Sequence, residues 1–247
     1  MKRVLSVILL GAMAVIFFSS LSWLPSVGDP HSAPNTHVSP YYLERSYKDT
    51  GATNVVTAII LVYRGLDTLG ETAVIFIASV ATIAILGYKV NNGNRKSSLD
   101  DKTGSHEVFG GFVLNTAYRY MVPAILLFAV YILFHGEYSP GGGFHAGVLF
   151  GLTILSSQLI TGYQQTILSV KLAVLLAGIG VLIYAVVGLL SFFFGGIFLE
   201  HGVLPFNIKE IGLQGLSILI VEIGVAICVM ATIVVVFTIM DRNGGKE

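Results

Sequence analysis

Six long apolar runs limit what this chain can fold into: Val4–Leu24, Leu69–Val90, Tyr120–His135, Phe144–Gly162, Ile167–Phe194 and Ile211–Met240. Each approaches or exceeds the roughly 20 residues an α-helix needs to cross the hydrocarbon of a bilayer. The third is short, and its helix is expected to begin nearer Thr116. Composition agrees, with 54% hydrophobic and only 11% charged residues, where a soluble domain carries about a quarter charged. The expected fold is all-α: a polytopic membrane protein of six transmembrane helices plus one short, non-spanning half-helix.

Charge supplies orientation and excludes some partners. Fourteen basic residues cancel fourteen acidic ones, so nothing favours nucleic acid or an acidic partner, and the lipid bilayer is the surrounding phase. Lys2 and Arg3 precede the first run; Lys89, Arg95, Lys96 and Lys102 follow the second; Lys171 opens the fifth; Arg242 and Lys246 follow the sixth. Six spans with both termini cytoplasmic place these on the inner side, as the positive-inside rule requires. Lys48 and Lys209 fall outside, each beside an acidic residue. Met1-Lys2-Arg3 before an apolar core also fits a secretory signal, but Ser20-Leu21-Ser22 is a poor cleavage site, so a retained anchor is expected. The lone Cys228 allows no internal disulfide and no cysteine metal cluster.

The polar interval 91–107, opening Asn91-Asn92-Gly93-Asn94, reads as a cytoplasmic linker. It separates a two-span part (1–90) from a four-span part (108–247). Val108, Phe109, Phe112 and Val113 suit a helix over Val108–Tyr118 lying at the membrane interface. No internal repeat is visible, which gives an inverted-repeat transporter no support.

Two segments break the helical pattern. Ser139-Pro140-Gly141-Gly142-Gly143-Phe144-His145-Ala146-Gly147 sits between apolar runs. Proline lacks a donor, and glycines reach conformations closed to other residues. The stretch is either a loose extramembrane loop or a tight turn whose amides are satisfied by protein or water. The second segment, Thr53 to Glu71, contains an apolar run, Val55–Tyr63, too short to span. It reads as a half-helix over Asn54–Tyr63 that breaks at Gly65 and feeds the second span. Asp67 and Glu71 stand four apart and share a helix face, with Arg64 one turn before Asp67. They are either a solvated ion pair or a carboxylate pair at the mouth of an ion path.

Glu222 stands about ten residues into its apolar run, among Leu219, Ile220, Val221, Ile223 and Val225. A charged carboxylate in hydrocarbon costs a few kcal/mol or more, so it must be protonated, paired or hydrated. It is either a hydrogen-bonded structural acid or a relay for an ion or proton. Lys171 reads mainly as a snorkelling anchor. His135, Glu137, His145, Glu200 and His201 fall near the outer face, and their spacing matches no metal motif. His145 and Lys171 are the pH-responsive or polar candidates. Gly178, Gly180 and Gly188 suit close helix contacts in the fifth run. No phosphate loop, paired-cysteine site or nucleophile elbow is present. The chain is therefore read as no enzyme by itself, with no cofactor.

The residues Asn115-Thr116, Arg119, Pro123, Tyr131, Gly136 and Pro140-Gly141-Gly142-Gly143-Phe144 resemble the MnhB-like subunit of the Mrp-type multisubunit sodium/proton antiporters. The family usually has Gln or Ile and then Gly after the phenylalanine, where His145 and Ala146 stand here. Thr53-Asn54-Val55-Val56 and Arg64-Gly65-Leu66-Asp67-Thr68-Leu69-Gly70-Glu71 are similar to the C-terminal end of the large A-type subunit of the same antiporters. Leu66 replaces the family's aromatic and Tyr63 its Asp. The same module occurs in membrane-bound hydrogenase and sulfane-sulfur reductase complexes. The resemblance implies an accessory subunit in a prokaryotic inner membrane, working with the other subunits of an antiporter or hydrogenase-like complex. Na+ would be the transported ion, with Asp67, Glu71 and the turn Pro140 to Phe144 near its path. Glu222 enters on the burial argument alone.

Overall fold

The structure, a computed structural model, describes residues 2–87, 111–161, 168–205 and 215–244. The chain falls into two units, Met1–Arg45 and Ser46–Glu247. The first holds α1 (Lys2–Leu21), a short π-helical turn (Pro34–Val38) and the start of α2 (Ser39–Thr50). From Val4 to Leu21 every residue of α1 is exposed within the chain. A helix apolar all round is a membrane helix rather than an amphipathic one.

The second unit is a helical bundle. Its elements are α3 (Val55–Thr57) with a π-helical continuation (Ala58–Tyr63), α4 (Gly65–Ile85), α5 (Gly111–His135), α6 (Gly143–Thr161), α7 (Val170–Phe193), a 3-10 turn (His201–Val203) and α8 (Leu216–Gly244). Helix α8 is the hub, packed against α4, α5, α6 and α7. Val221, Val225, Cys228, Ala231, Val234, Val235 and Ile239 are buried along it.

Lipid supplies no hydrophobic drive between helices, so close backbone approach has to do the joining. Small residues make that approach here. A Cβ on Gly180 of α7 would run into the Gly224 carbonyl of α8, and one on Gly224 would lie 2.8 Å from the Gly180 carbonyl. On α6, Gly143, Gly147 and Gly151 recur every four residues along one face. That stripe meets α8 at the backbones of Glu222 and Ala226 and at the side chain of Ile233.

Among the described residues, six helices are long and apolar enough to cross a membrane, as the apolar runs predict. Three details differ. Helix α5 runs unbroken from Gly111 through Pro123 to His135, so no separate interfacial helix covers the described part of Val108–Tyr118. Tyr118 ties that half of α5 to α6 by donating to the Thr153 carbonyl at 2.8 Å. Helix α4 starts at Gly65, not Leu69, because the preceding π-helical turn closes at Arg64, whose amide donates to the Ile59 carbonyl. Helix α2 was not signalled by any apolar run. The linker 91–107 lies outside the described residues.

Candidate functional site

The half-helix expected at Asn54–Tyr63 is present, and the reason it breaks is local. Asn54 has extended backbone (φ −88°, ψ 115°) and caps α3, its side-chain oxygen accepting from the Val56 amide at 3.0 Å. Four residues on, at Ala58, the chain shifts to π geometry.

This broken segment and the glycine turn after α5 satisfy each other. The Asn54 side-chain amide donates to the carbonyls of Gly136 (3.1 Å) and Ser139 (2.9 Å). The Thr57 hydroxyl donates to the Gly136 carbonyl at 2.6 Å. The Asn54 backbone amide and the Thr53 hydroxyl both donate to the Glu137 carbonyl. Within the turn, the Gly142 amide reaches back to the Ile132 carbonyl at 3.2 Å. Carbonyls freed where α5 ends thus find protein donors, which is the condition for irregular backbone near a membrane.

Glu222 lies against this turn. It is 6% exposed and sits in the second turn of α8, about 9 Å from the first residue of that helix at 1.5 Å per residue. That is nearer the helix end than the run Ile211–Met240 implies. Gly142 has φ +97°, a region that favours glycine, and a Cβ there would be 2.8 Å from Glu222 Oε1. A Cβ on Gly136 would be 3.0 Å from the same oxygen. The turn is therefore a tight, buried one, shaped around the carboxylate.

A cavity of about 180 Å³ opens at the same place, lined by Asn54, Thr57 and Thr68 on one side and by Gly141 to His145, Glu222 and Val225 on the other. Among the described residues, the Glu222 carboxylate has no ion-pair partner. Thr68 was not singled out in the sequence; its hydroxyl donates to the Ile60 carbonyl at 2.9 Å, holding the π-helical turn against α4.

The other predicted positions fall elsewhere. Asp67 and Glu71 lie on the exposed face of α4, and neither lines the cavity. Arg64 pairs with Asp67, its Nε 2.7 Å from Oδ2. Their neighbours Thr68 and Thr72 take the buried face. Lys171 is partly buried in the first turn of α7, behind the Ser169 cap, and does not line the cavity. His145 does line it, with Nδ1 3.1 Å from the Gly141 carbonyl. Pro140 and Phe144 also line it, and Phe144 packs on the main apolar core.

The loop acids and histidines divide into distinct environments. Glu137 is half-buried with its carboxylate against Gly215, at the start of α8. Burial pushes that carboxyl above the usual range. His201 is 2% exposed. Burial holds its imidazole down at about 4, against the opposing effect of a hydrogen bond with the Leu61 backbone. His135 stacks on Tyr131 at 4.7 Å, and Glu200 accepts from the Ile197 amide. Among the described residues, no three His, Cys, Asp or Glu side chains group as metal ligands.

Two known families match this chain. Residues 113–235 match the family described as "Domain related to MnhB subunit of Na+/H+ antiporter". That match covers most of the chain's C-terminal part, which is similar to the MnhB-related domain. Residues 3–93 match MbhE, a family described as a subunit of MBH. A probable K(+)/H(+) antiporter A/B subunit of Rhizobium meliloti is 28% identical over 83% of this chain. The fold also matches a chain of the Mrp complex from Dietzia sp. (TM-score 0.71, 27% identity, 97% of this chain). A further match is a chain of the membrane-bound sulfane sulfur reductase, an archaeal respiratory membrane complex (TM-score 0.68, 29% identity, 97% of both chains). This chain spans 22% of the Rhizobium relative and 26% of the Mrp chain. The glycine turn and Glu222 fall within the segment matched by the MnhB-related family, whereas Asn54, Thr57 and Thr68 fall within the segment matched by the MbhE family. The cavity is built from both.

Proposed function

We propose that this chain is an accessory, non-catalytic membrane subunit of a multisubunit cation/proton antiporter. It sits in a prokaryotic inner membrane with both termini cytoplasmic and contributes to the cation path or its scaffold. The observation that carries the reading is the cavity itself: a buried acid, two irregular backbone segments and an open volume meet where the two family-matched segments come together. The distribution of Lys and Arg supports the orientation. The relatives are named as parts of assemblies, which supports other membrane subunits as partners, and the matched family's name makes Na+ the first ion to try, with K+ beside it.

A second reading has its own support. The MbhE match and the coverage of 97% of a reductase chain favour the membrane arm of a redox-driven complex. One experiment separates the two. The tagged chain is purified from native membranes in mild detergent, its co-purifying subunits are identified by mass spectrometry, and cation-dependent proton release is followed in everted vesicles with and without the gene. Antiporter subunits together with gene-dependent exchange support the first reading. Hydrogenase-like or reductase-like subunits support the second, and a chain that purifies alone and is dispensable for exchange sinks both.

A further inference from the structure

We propose that the cavity between α3, the glycine turn and α8 binds a monovalent cation, with the Glu222 carboxylate as its one charged ligand. The proposal rests on the antiporter reading for the traffic of the ion and on geometry for the site.

The charge argument comes first. The Glu222 side chain is more than nine-tenths buried, faces the cavity and has no ion-pair partner among the described residues. Among the described residues, no Lys or Arg lines the volume. A buried lone carboxylate is costly until a counter-charge joins it. One monovalent cation neutralises it, while a divalent ion leaves a net positive charge in the same low-dielectric space.

The neutral ligands are of the right kind. Thr57 and Thr68 line the cavity, and each hydroxyl already commits its proton to a backbone carbonyl, of Gly136 and Ile60 respectively. A hydroxyl whose proton is committed has only lone pairs left to offer, and a hard cation wants oxygen lone pairs. Asn54 is different: both ends of its amide are engaged, so it positions the wall rather than ligating.

Size and release also fit. At about 30 Å³ per water, 180 Å³ holds several, so the ion need not shed its whole shell. The carboxylate lies beside Gly142, the residue before α6, whose first residue Gly143 packs on the Glu222 backbone. The partial positive charge of that helix end supports the anion while no cation is present, which keeps the site reversible. A proton is the natural competitor. Among the described residues, the other titratable groups around Glu222 are His145 on α6 and Glu137 in the turn, and α3 and α4 present only neutral side chains to the cavity.

The test uses native membranes containing the whole complex and the carboxyl reagent dicyclohexylcarbodiimide, with modification of the Glu222 peptide read by mass spectrometry. Expected is modification in choline buffer that falls several-fold on adding Na+ or K+, with Glu222→Gln unmodified. Thr68→Val should leave modification in choline intact but raise the protecting cation concentration by about tenfold, or about 1.4 kcal/mol of binding. Thr57→Val should do the same where it folds. No modification in choline, modification insensitive to monovalent cations, or stronger protection by Mg2+ or Ca2+ overturns the site. Protection without ion exchange by the complex keeps the site and sinks the antiporter reading; exchange without protection does the reverse.

Discussion

The Thr57 hydroxyl donates to the Gly136 carbonyl at 2.6 Å, joining two irregular segments 79 residues apart. Asn54 bonds the same carbonyl. The break in one helix and the turn after another are thus one structure, and it forms a wall of the cavity beside Glu222.

Removing these ties should loosen the wall. Thr57→Val and Asn54→Ala each withdraw a donor from a turn carbonyl, and stranding a buried acceptor costs about 1–3 kcal/mol. Each variant should lower the melting temperature of the purified complex. The double variant should show more than the summed loss, because each single variant leaves the Gly136 carbonyl one donor and only the double strands it. Strict additivity would show that the two ties act independently.

Gly142 should tolerate no side chain. Gly142→Ala adds a Cβ at φ +97° and 2.8 Å from Glu222 Oε1. The left-handed backbone alone costs roughly 1–2 kcal/mol for a non-glycine residue. Gly70→Ala, with nothing within 4 Å of its Cβ, is the matched control and should be silent. Yield and thermal stability in detergent decide; equal behaviour of the two variants would place the turn in open space.

Asp67, Glu71 and Glu222 should separate by assay. The Arg64–Asp67 pair is exposed, with side chains 65% and 54% accessible, and such pairs contribute about 0–1 kcal/mol. Asp67→Asn and Glu71→Gln should leave the melting temperature unchanged, and any effect on exchange should appear together with weaker retention of partner subunits. Glu222→Gln keeps the shape and should preserve complex yield while lowering exchange by about tenfold or more, as losing the one charged ligand requires. Exchange at the wild-type rate with Glu222→Gln would make that acid structural.

His201 predicts a specific acid sensitivity. Its imidazole is held at about 4 in the folded chain, below its ordinary 6.5. As pH falls, the unfolded chain takes up the proton first, so stability is lost from about pH 6.5 down to about 4. The full shift corresponds to roughly 3 kcal/mol. Glu137, raised by burial, acts in the opposite sense as pH rises from its ordinary 4.5. The difference between wild type and His201→Gln therefore carries the readout: the variant should show a flatter stability profile across the His201 window.

The spans were legible because a bilayer admits so few backbone solutions. About 20 apolar residues in a row suffice to place a helix, and the charges at its ends suffice to propose a side. The half-helix was legible too, since Val55–Tyr63 is too short to cross and breaks at Gly65. Both breaks were visible as breaks, and Glu222 as an acid in apolar company.

Their meeting was not legible. Which carbonyl Asn54 reaches depends on how α5, α6 and α8 pack, and that packing rests on glycines at Gly143, Gly147, Gly151, Gly180 and Gly224 whose partners lie far along the chain. The same packing set Thr68 toward the cavity and Asp67, one residue earlier on α4, toward the outside. Sequence by itself determined that this chain is a set of membrane helices with two faults and a misplaced acid. Only the tertiary structure decided that the faults close on each other around that acid, because helices approach closely only where small residues face each other, and a local pattern cannot say which do.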